Sequence, residues 1–308
     1  MASSKAMKVE RVRDAFLVQR LTDPQTIHGL LESDRRYAAY GLAQLESPLF
    51  ERSEWWLAEG DGERALLMHS RGGLGRALLT LGDEVALYVL FSLHPGPAYS
   101  FATMKPEHLP VARHFYSLAQ TQPVARMVVD KRTFVPAPAS PAGSSLQLRR
   151  LSAGDTPDVN RLNASEGGGV TYRKDQISDG VYYGVFSEGT LVSMAGTHGV
   201  ANKDRIAVLG NVFTHPAYRN SHFALRSTSA VTAELLQTCD EVVLTVDPRN
   251  EPAMRAYVRL GYREDSRLIE TATTRREALP IMSLMRRLVA RWRGPDGREL
   301  VYSPARRG

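Results

Sequence analysis

One cysteine, Cys239, stands in 308 residues. A lone thiol excludes an internal disulfide framework and any multi-cysteine zinc site, and it is compatible with a reducing compartment. Long apolar runs are also missing. The longest, Val85–Leu93, reaches about half of the roughly 18 residues a membrane span needs and contains Ser92. The opening residues, Met1-Ala2-Ser3-Ser4-Lys5, are polar and lack the apolar centre of a secretory signal, so the expected location is cytoplasmic. No short tandem repeat is present, which excludes a solenoid. Dispersed basic character is lacking too. The net charge is +6, but Arg275–Gly308 holds nine arginines against Glu277, Asp296 and Glu299, which leaves the preceding residues neutral overall. Nucleic-acid binding needs basic residues interleaved with a recognition fold. Only the charge is present, so no nucleic-acid partner is expected, and no metal site either.

What is present is an ordinary soluble composition, 43% hydrophobic and 23% charged, in a length that suggests about two domains. Pro136-Ala137-Pro138-Ala139-Ser140-Pro141 and the small residues up to Ser145 read as a linker. The expected organisation is a first domain over 20–135, the linker over 136–145, a second domain over 146–276 and a basic tail over 277–308. Helices are expected from Asp23-Pro24 through Leu31, over Asp34–Leu45, over Glu84–Leu93 and over Pro106–Tyr116. Strands are expected over Trp55–Glu59, Ala65–Ser70, Tyr99–Met104 and Val124–Val129. The second half reads as a strand Leu146–Leu151, a helix capped by Asp155, a loop at Gly167-Gly168-Gly169 and a short helix near Arg173–Ser178. Strands Val181–Phe186 and Leu191–His198 follow across the turn Ser187–Thr190. Then come strand Ile206–Thr214, helix Phe223–Leu236, strand Val242–Val246, helix Pro252–Leu260 and a strand near Arg267–Thr271. Alternating strands and helices indicate layered α/β architecture.

Two segments carry chemistry. The first is Gly210-Asn211-Val212-Phe213-Thr214-His215-Pro216, continuing through Arg219-Asn220-Ser221-His222-Phe223-Ala224. It is a strand, a turn and a polar loop that opens a helix. Unpaired backbone N–H groups at such a helix start favour a phosphate, and Arg219 and Ser221 add donors. In the second, Asn250-Glu251-Pro252-Ala253 begins a helix that places Ala253 and Tyr257 on one face and closes at Leu260-Gly261-Tyr262.

Together the segments resemble the Gcn5-related N-acetyltransferase (GNAT) family. Its later helix pattern, Asn-x-x-Ala-x-x-x-Tyr-x-x-Leu-Gly-Tyr/Phe, is complete in Asn250, Ala253, Tyr257, Leu260, Gly261 and Tyr262. Its acyl-CoA loop pattern, Arg/Gln-x-x-Gly-x-Gly/Ala, is met at Arg219 and Ala224. His222 stands where the family has glycine, and Asn220 replaces another common glycine. Glycine allows positive φ and close approach to a diphosphate; asparagine tolerates positive φ, whereas His222 adds bulk or, when protonated, a donor. The resemblance covers roughly Leu146–Thr274. It implies a mixed, mostly antiparallel central sheet flanked by helices.

The resemblance also implies a site. Acetyl-CoA or another acyl-CoA would be the co-substrate, held by Val212, Phe213, Thr214, Arg219, Asn220, Ser221, His222, Phe223, Ala224, Asn250, Ala253 and Tyr257. Tyr257 would protonate the departing thiolate, which a phenol can do because its ordinary pKa lies above that of a thiol. Glu166 and His198 are the candidate bases, with Asp247, which follows the strand before the second segment's helix, a third. A solvated loop carboxylate and a structural histidine are the ordinary readings of the first two, and a water relay would need neither. Tyr172 and Tyr183 are candidates for shaping the acceptor pocket or for the core. The expected activity is transfer of an acetyl or short acyl group to the amine of a small molecule. A non-catalytic acyl-CoA-binding module and an enzyme using a carrier-protein-bound thioester are the alternatives.

The element order of Trp55–Phe134 is similar to a second, degenerate unit of the same kind. The tandem arrangement resembles the glycine N-acyltransferase-like branch. Ser70–Ala77 fails the spacing of a phosphate loop and reads as a hairpin turn. In the tail, Ala278, Ile281, Met282, Met285, Leu288, Val289 and Trp292 share one face of a helix expected over Glu277–Arg293. Such a basic amphipathic helix rests on an anionic membrane surface or docks on protein, docking being the commoner use.

Overall fold

The computed structural model describes residues 15–46, 48–71, 75–138, 146–165, 171–277 and 279–303. Glu166, the glycines after it, most of the linker and the last five residues lie outside that set. The first half runs β1 (Ala15–Leu21), α1 (Pro24–Leu31), α2 (Ala39–Gln44), β2 (Ser53–Gly60), β3 (Glu63–Ser70), β4 (Ala77–Gly82), α3 (Glu84–Leu93), β5 (Tyr99–Met104), α4 (Leu109–Phe115), β6 (Tyr116–Leu118) and β7 (Gln122–Asp130). The second half repeats that order without a counterpart of β6, as β8 (Leu146–Arg150), α5 (Thr156–Ala164), α6 (Lys174–Asp179), β9 (Tyr183–Ser187), β10 (Thr190–Ala201), β11 (Ile206–Thr214), α7 (Phe223–Thr238), β12 (Glu241–Val246), α8 (Glu251–Arg259) and β13 (Arg263–Arg275). After them come α9 (Ile281–Arg293) and β14 (Glu299–Tyr302).

Local chemistry sets these elements. Asp23 caps α1, accepting from the Thr26 amide at 2.9 Å, with Pro24 in the first turn. The hairpins β2–β3 and β9–β10 turn at Asp61-Gly62 and Glu188-Gly189, with both residues of each pair at positive φ, the backbone a two-residue hairpin requires.

All fourteen strands among the described residues join one sheet. Its order is β14-β1-β2-β3-β4-β5-β13-β7-β12-β11-β10-β9-β8, with β6 alongside β13. Only β4–β5 and β11–β12 pair in parallel. The two halves exchange their last strands. β13 pairs with β5 of the first half, and β7 pairs with β12 of the second, through Val128 opposite Val243 and Arg126 opposite Thr245. β7 and β13 pair with each other at the centre. Six successive residues of β7, Val124–Val129, are buried, as suits a strand covered on both faces. On one face, α1 and α2 of the first half pack over Val208 and Val243 of the second. On the other, Tyr257, Leu260 and Tyr262 pack with Leu235, Leu244 and Val246.

Several elements differ from expectation. Strands β1, β4 and β14 were not anticipated; Phe16 and Val18 of β1 are fully buried, and β14 returns to pair with β1 at the sheet edge. The helix expected over Asp34–Leu45 is shorter, because the chain before α2 turns to insert Tyr37 into the core, where its hydroxyl donates to the Thr80 carbonyl at 2.5 Å. The tail helix forms as α9, but its apolar side chains point outward: Trp292 is 84% exposed.

Candidate functional site

The parallel ladder between β11 and β12 is short. It joins Ile206–Val208 to Glu241–Val243 and then stops, while β11 continues to Thr214 and β12 to Val246. Beyond Val208 the strands splay, and β11 keeps a backbone edge without a strand partner on that side. Unpaired strand N–H and C=O groups seek another partner, and Val212, Phe213 and Thr214 on this edge are only partly buried. The other edge of β11 stays fixed to β10, where Ser193 donates to the Phe213 carbonyl at 3.2 Å.

At the end of β11, His215 closes a turn by accepting from the Ala217 amide at 3.2 Å, and Arg219 Nε donates back to the Thr214 carbonyl at 3.4 Å. Asn220 (φ +62°) and His222 (φ +60°) then adopt left-handed backbone. These are the two positions where the family pattern carries glycine. The loop therefore holds a glycine-like path with side chains that are strained there, more for histidine than for asparagine. His222 is the residue before the first turn of α7 and is exposed, as are Asn220 and Ser221, whereas Phe223 is buried.

Helix α8 forms the opposite wall. Asn250 caps it, accepting from the Ala253 amide at 3.2 Å, so its side-chain oxygen serves the helix start. Tyr257 is 6% exposed and packs among Leu209, Val246 and Leu260. Burial alone pushes its phenol up to about 12, so it is protonated at neutral pH. Its hydroxyl has no hydrogen bond among the described residues.

Beside the splay, two bulges bring a polar cluster together. The β10–β11 register shifts between Met194 and Gly196 and again between Thr197 and Gly199. His198 and Asn211 sit at these irregularities, Asn211 with φ +52° in mid-strand. Asn211 Nδ2 donates to the Thr197 carbonyl at 3.2 Å and to the Tyr182 hydroxyl at 3.1 Å. A carbonyl only accepts, which fixes the amide orientation. Asn211 Oδ1 therefore accepts from the Tyr172 hydroxyl at 2.9 Å and from His198 Nε2 at 3.3 Å. His198 thus carries its proton on Nε2 and keeps a lone pair on Nδ1. Burial pushes its pKa down to about 4, so the ring is neutral near pH 7. It lies against Gly210, where any Cβ would meet it at 2.3 Å.

Of the sequence-predicted residues, the β11 edge, the Arg219–Ala224 loop and the start of α8 lie at the same end of the splayed β11–β12 pair, Tyr257 lies on α8, and His198 lies on β10 alongside β11. Glu166 lies outside the described residues. Tyr172 joins the polar cluster, whereas Tyr183 donates to Glu234 on α7 at 2.9 Å. Asp247 accepts from Arg249 at 2.8 Å and from Gln122. These donors hold its carboxyl well below the usual range, which makes it a poor proton acceptor. Sequence reasoning missed Asn211, Tyr182 and Arg126. Arg126, on exchanged strand β7, is 3% exposed and its Nε has no partner among the described residues. The glycine and asparagine inside the β11 run were the available signal for the bulge. Among the described residues one group with metal-ligand geometry exists: His28, Glu32 and Asp204, within 4.8 Å of one another. It sits at the end of β11 opposite the splay.

The first half has a corresponding place, and it is filled. β4 and β5 pair in parallel only through Leu79 and Thr103. The carbonyls of Thr80 and Gly82 beyond that point are taken by Tyr37 and by His108 at 2.9 Å. No polar loop precedes α3; Asp83 and Glu84 stand at its start, and negative charge there repels an anion.

A mixed sheet built from two repeated halves, with one parallel strand pair splayed beside a helix-opening loop, defines a tandem GNAT fold. Residues 182–271 match the FR47-like protein family, which is GNAT-related. A solved Drosophila protein superposes with a TM-score of 0.61 at 16% identity, covering 83% of this chain and 98% of its own. A GCN5-related N-acetyltransferase from Sphaerobacter thermophilus gives 0.55 at 15% identity, covering 83% and 95%. A tandem GNAT protein from the clavulanic acid biosynthesis pathway gives 0.53 at 13% identity, covering 83% and 98%. Likeness at these identities establishes the fold. No curated protein matches the sequence. These findings support the tandem arrangement without singling out the glycine N-acyltransferase-like branch. No helix among the described residues is long and apolar enough to cross a membrane.

Proposed function

We propose that this chain transfers an acetyl or short acyl group from acyl-CoA to the amine of a small-molecule acceptor, at a single site in its second half. The observation that carries the reading is the coincidence, at one end of β11, of a free strand edge and a loop that keeps glycine-like backbone at Asn220 and His222. The first half offers neither, because its own side chains occupy the equivalent carbonyls.

Acyl-CoA would supply the thioester carbonyl that an amine attacks. The chain's residues would do the rest. The loop amides before α7, with Arg219 and Ser221, would hold the diphosphate. Backbone N–H groups on the free edge of β11 would stabilise negative charge developing on the carbonyl oxygen. As the carbon–sulfur bond breaks, Tyr257 would give its phenolic proton to the thiolate. The proton lost by the amine would pass to His198 Nδ1, directly or through water, and then to solvent. A ring with so low a pKa holds a proton only briefly, which suits a relay better than a store.

One observation favours a second reading, an acyl-CoA-binding module without turnover: His222 places an imidazole where glycine would leave room. Calorimetry with acetyl-CoA, followed by an amine acceptor screen, separates the two. Micromolar binding with turnover is the expected result. Micromolar binding with no turnover on any amine favours the second reading. No binding at millimolar acetyl-CoA overturns both, and carrier-linked acyl groups are then the donors to test.

A further inference from the structure

Helix α9 is docked by the wrong face for an ordinary amphipathic helix. Ser283 and Ala290, two small residues seven apart, are its buried positions. Polar bonds complete the attachment: Arg286 donates to the Ser92 carbonyl at 3.3 Å, Arg291 to Glu299 at 3.1 Å, and Glu277 accepts from the Ser283 amide at 3.0 Å. The apolar side chains are left outside. Ile281, Leu284, Met285, Leu288, Val289 and Trp292 are each between 44% and 84% exposed. Of fifteen exposed large apolar side chains among the described residues, eight fall between Leu279 and Trp292. They form one patch, and contiguous patches on soluble proteins mark interaction sites.

The charge around the patch identifies its occupant. At 100° per residue the apolar arc of α9 spans roughly 160°. Arg286 and Arg293 border it on one side and Arg291 on the other, and the helix carries no acidic residue. A second copy of the chain is a poor occupant, because two-fold pairing would bring arginine rims together with no acid on either helix. An exposed apolar arc with a basic rim on both sides and an exposed tryptophan instead fits an anionic lipid surface. There the apolar face enters the acyl boundary and the guanidinium groups meet headgroup phosphates.

We propose that α9 is a membrane-surface anchor that binds the full chain reversibly to anionic lipid. Trp292 reports on it directly, since Trp55 is buried and Trp56 is stacked on His94. Full-length protein is mixed with phosphatidylcholine vesicles, with or without about 30% phosphatidylserine, and followed by tryptophan emission and co-sedimentation. The expected result is a blue shift and binding at least tenfold stronger to the anionic vesicles, reversed by high salt. Leu288→Glu and the double change Arg286→Gln with Arg293→Gln should each weaken binding about tenfold or more. The thermal melt of Leu288→Glu should match the parent, since Leu288 is exposed, and that of the double variant should fall by no more than the single bond Arg286 gives the Ser92 carbonyl. Absence of binding to anionic vesicles overturns the proposal, as does equal binding to both vesicle types. A concentration-dependent dimer abolished by Leu288→Glu, or capture of an acidic protein without vesicle binding, overturns it in favour of a protein partner.

Discussion

Replacing His222 tests the loop on which the donor site depends. At φ +60° and ψ +17° this residue is left-handed, a conformation that costs an L-residue with a Cβ roughly 1–2 kcal/mol. Glycine removes that cost but loses about 0.5–1 kcal/mol more chain entropy on folding. His222→Gly should therefore be stabilised by about 0.5 kcal/mol, while His222→Ala keeps the Cβ and the strain. The difference between the two variants should be about 0.5 kcal/mol in favour of glycine. Asn220→Gly, at a residue that already tolerates positive φ, should change little. Urea unfolding of the three variants, analysed with a common slope, measures these differences. Calorimetry with acetyl-CoA adds the functional arm: His222→Gly should bind at least as tightly as the parent, because the backbone donors stay and only bulk is lost. If His222→Gly is no more stable than His222→Ala, residue 222 is not left-handed and the glycine-like loop is refuted.

Two further outcomes follow from buried groups. Tyr257→Phe should lower turnover with the identified acceptor at least tenfold while leaving acetyl-CoA affinity within about twofold; unchanged turnover removes Tyr257 from the reaction. Burial pushes His69 and His198 down to about 4 and lowers His108 as well. The unfolded chain then binds more protons below its ordinary histidine pKa of about 6.5. Stability should be full above pH 6.5 and fall progressively as the pH drops to 4, by about 3 kcal/mol for His69 alone. A urea midpoint that stays constant from pH 7 to 5 contradicts this.

The helix motif and the β11 segment were readable because they rest on local chemistry. A proline-started helix closed by Gly261 and a strand run ending at His215-Pro216 need no distant partner. The hairpin turn at Glu188-Gly189 was readable for the same reason. What the sequence hid is non-local. Nothing in Val124–Val129 or Arg267–Thr271 says that β7 and β13 change places, because the apolar character of either strand suits either neighbour. The edge strand β14 is short, and its pairing with β1 joins residues nearly 300 positions apart. The direction of α9 was hidden too. Its heptad-like stripe predicts which residues share a face, but two small residues on the opposite side proved to be the docking surface. The role of Asn211 depends on a bulge that two strands make together.

The strand exchange has a consequence for how tolerance to change is distributed. β7 precedes β8 in the chain, yet it is the strand that flanks β12 of the second half. In the first half, Tyr37 and His108 have closed the cleft, and residues around it answer only to packing. Along Val124–Val129 they answer to the neighbouring half's chemistry as well. Arg126 lies directly across from Thr245 of β12, so a change at 126 acts on a strand of the opposite half. The half whose own cleft is filled thereby flanks β12 of the other half, and an isolated second half would lose that strand partner.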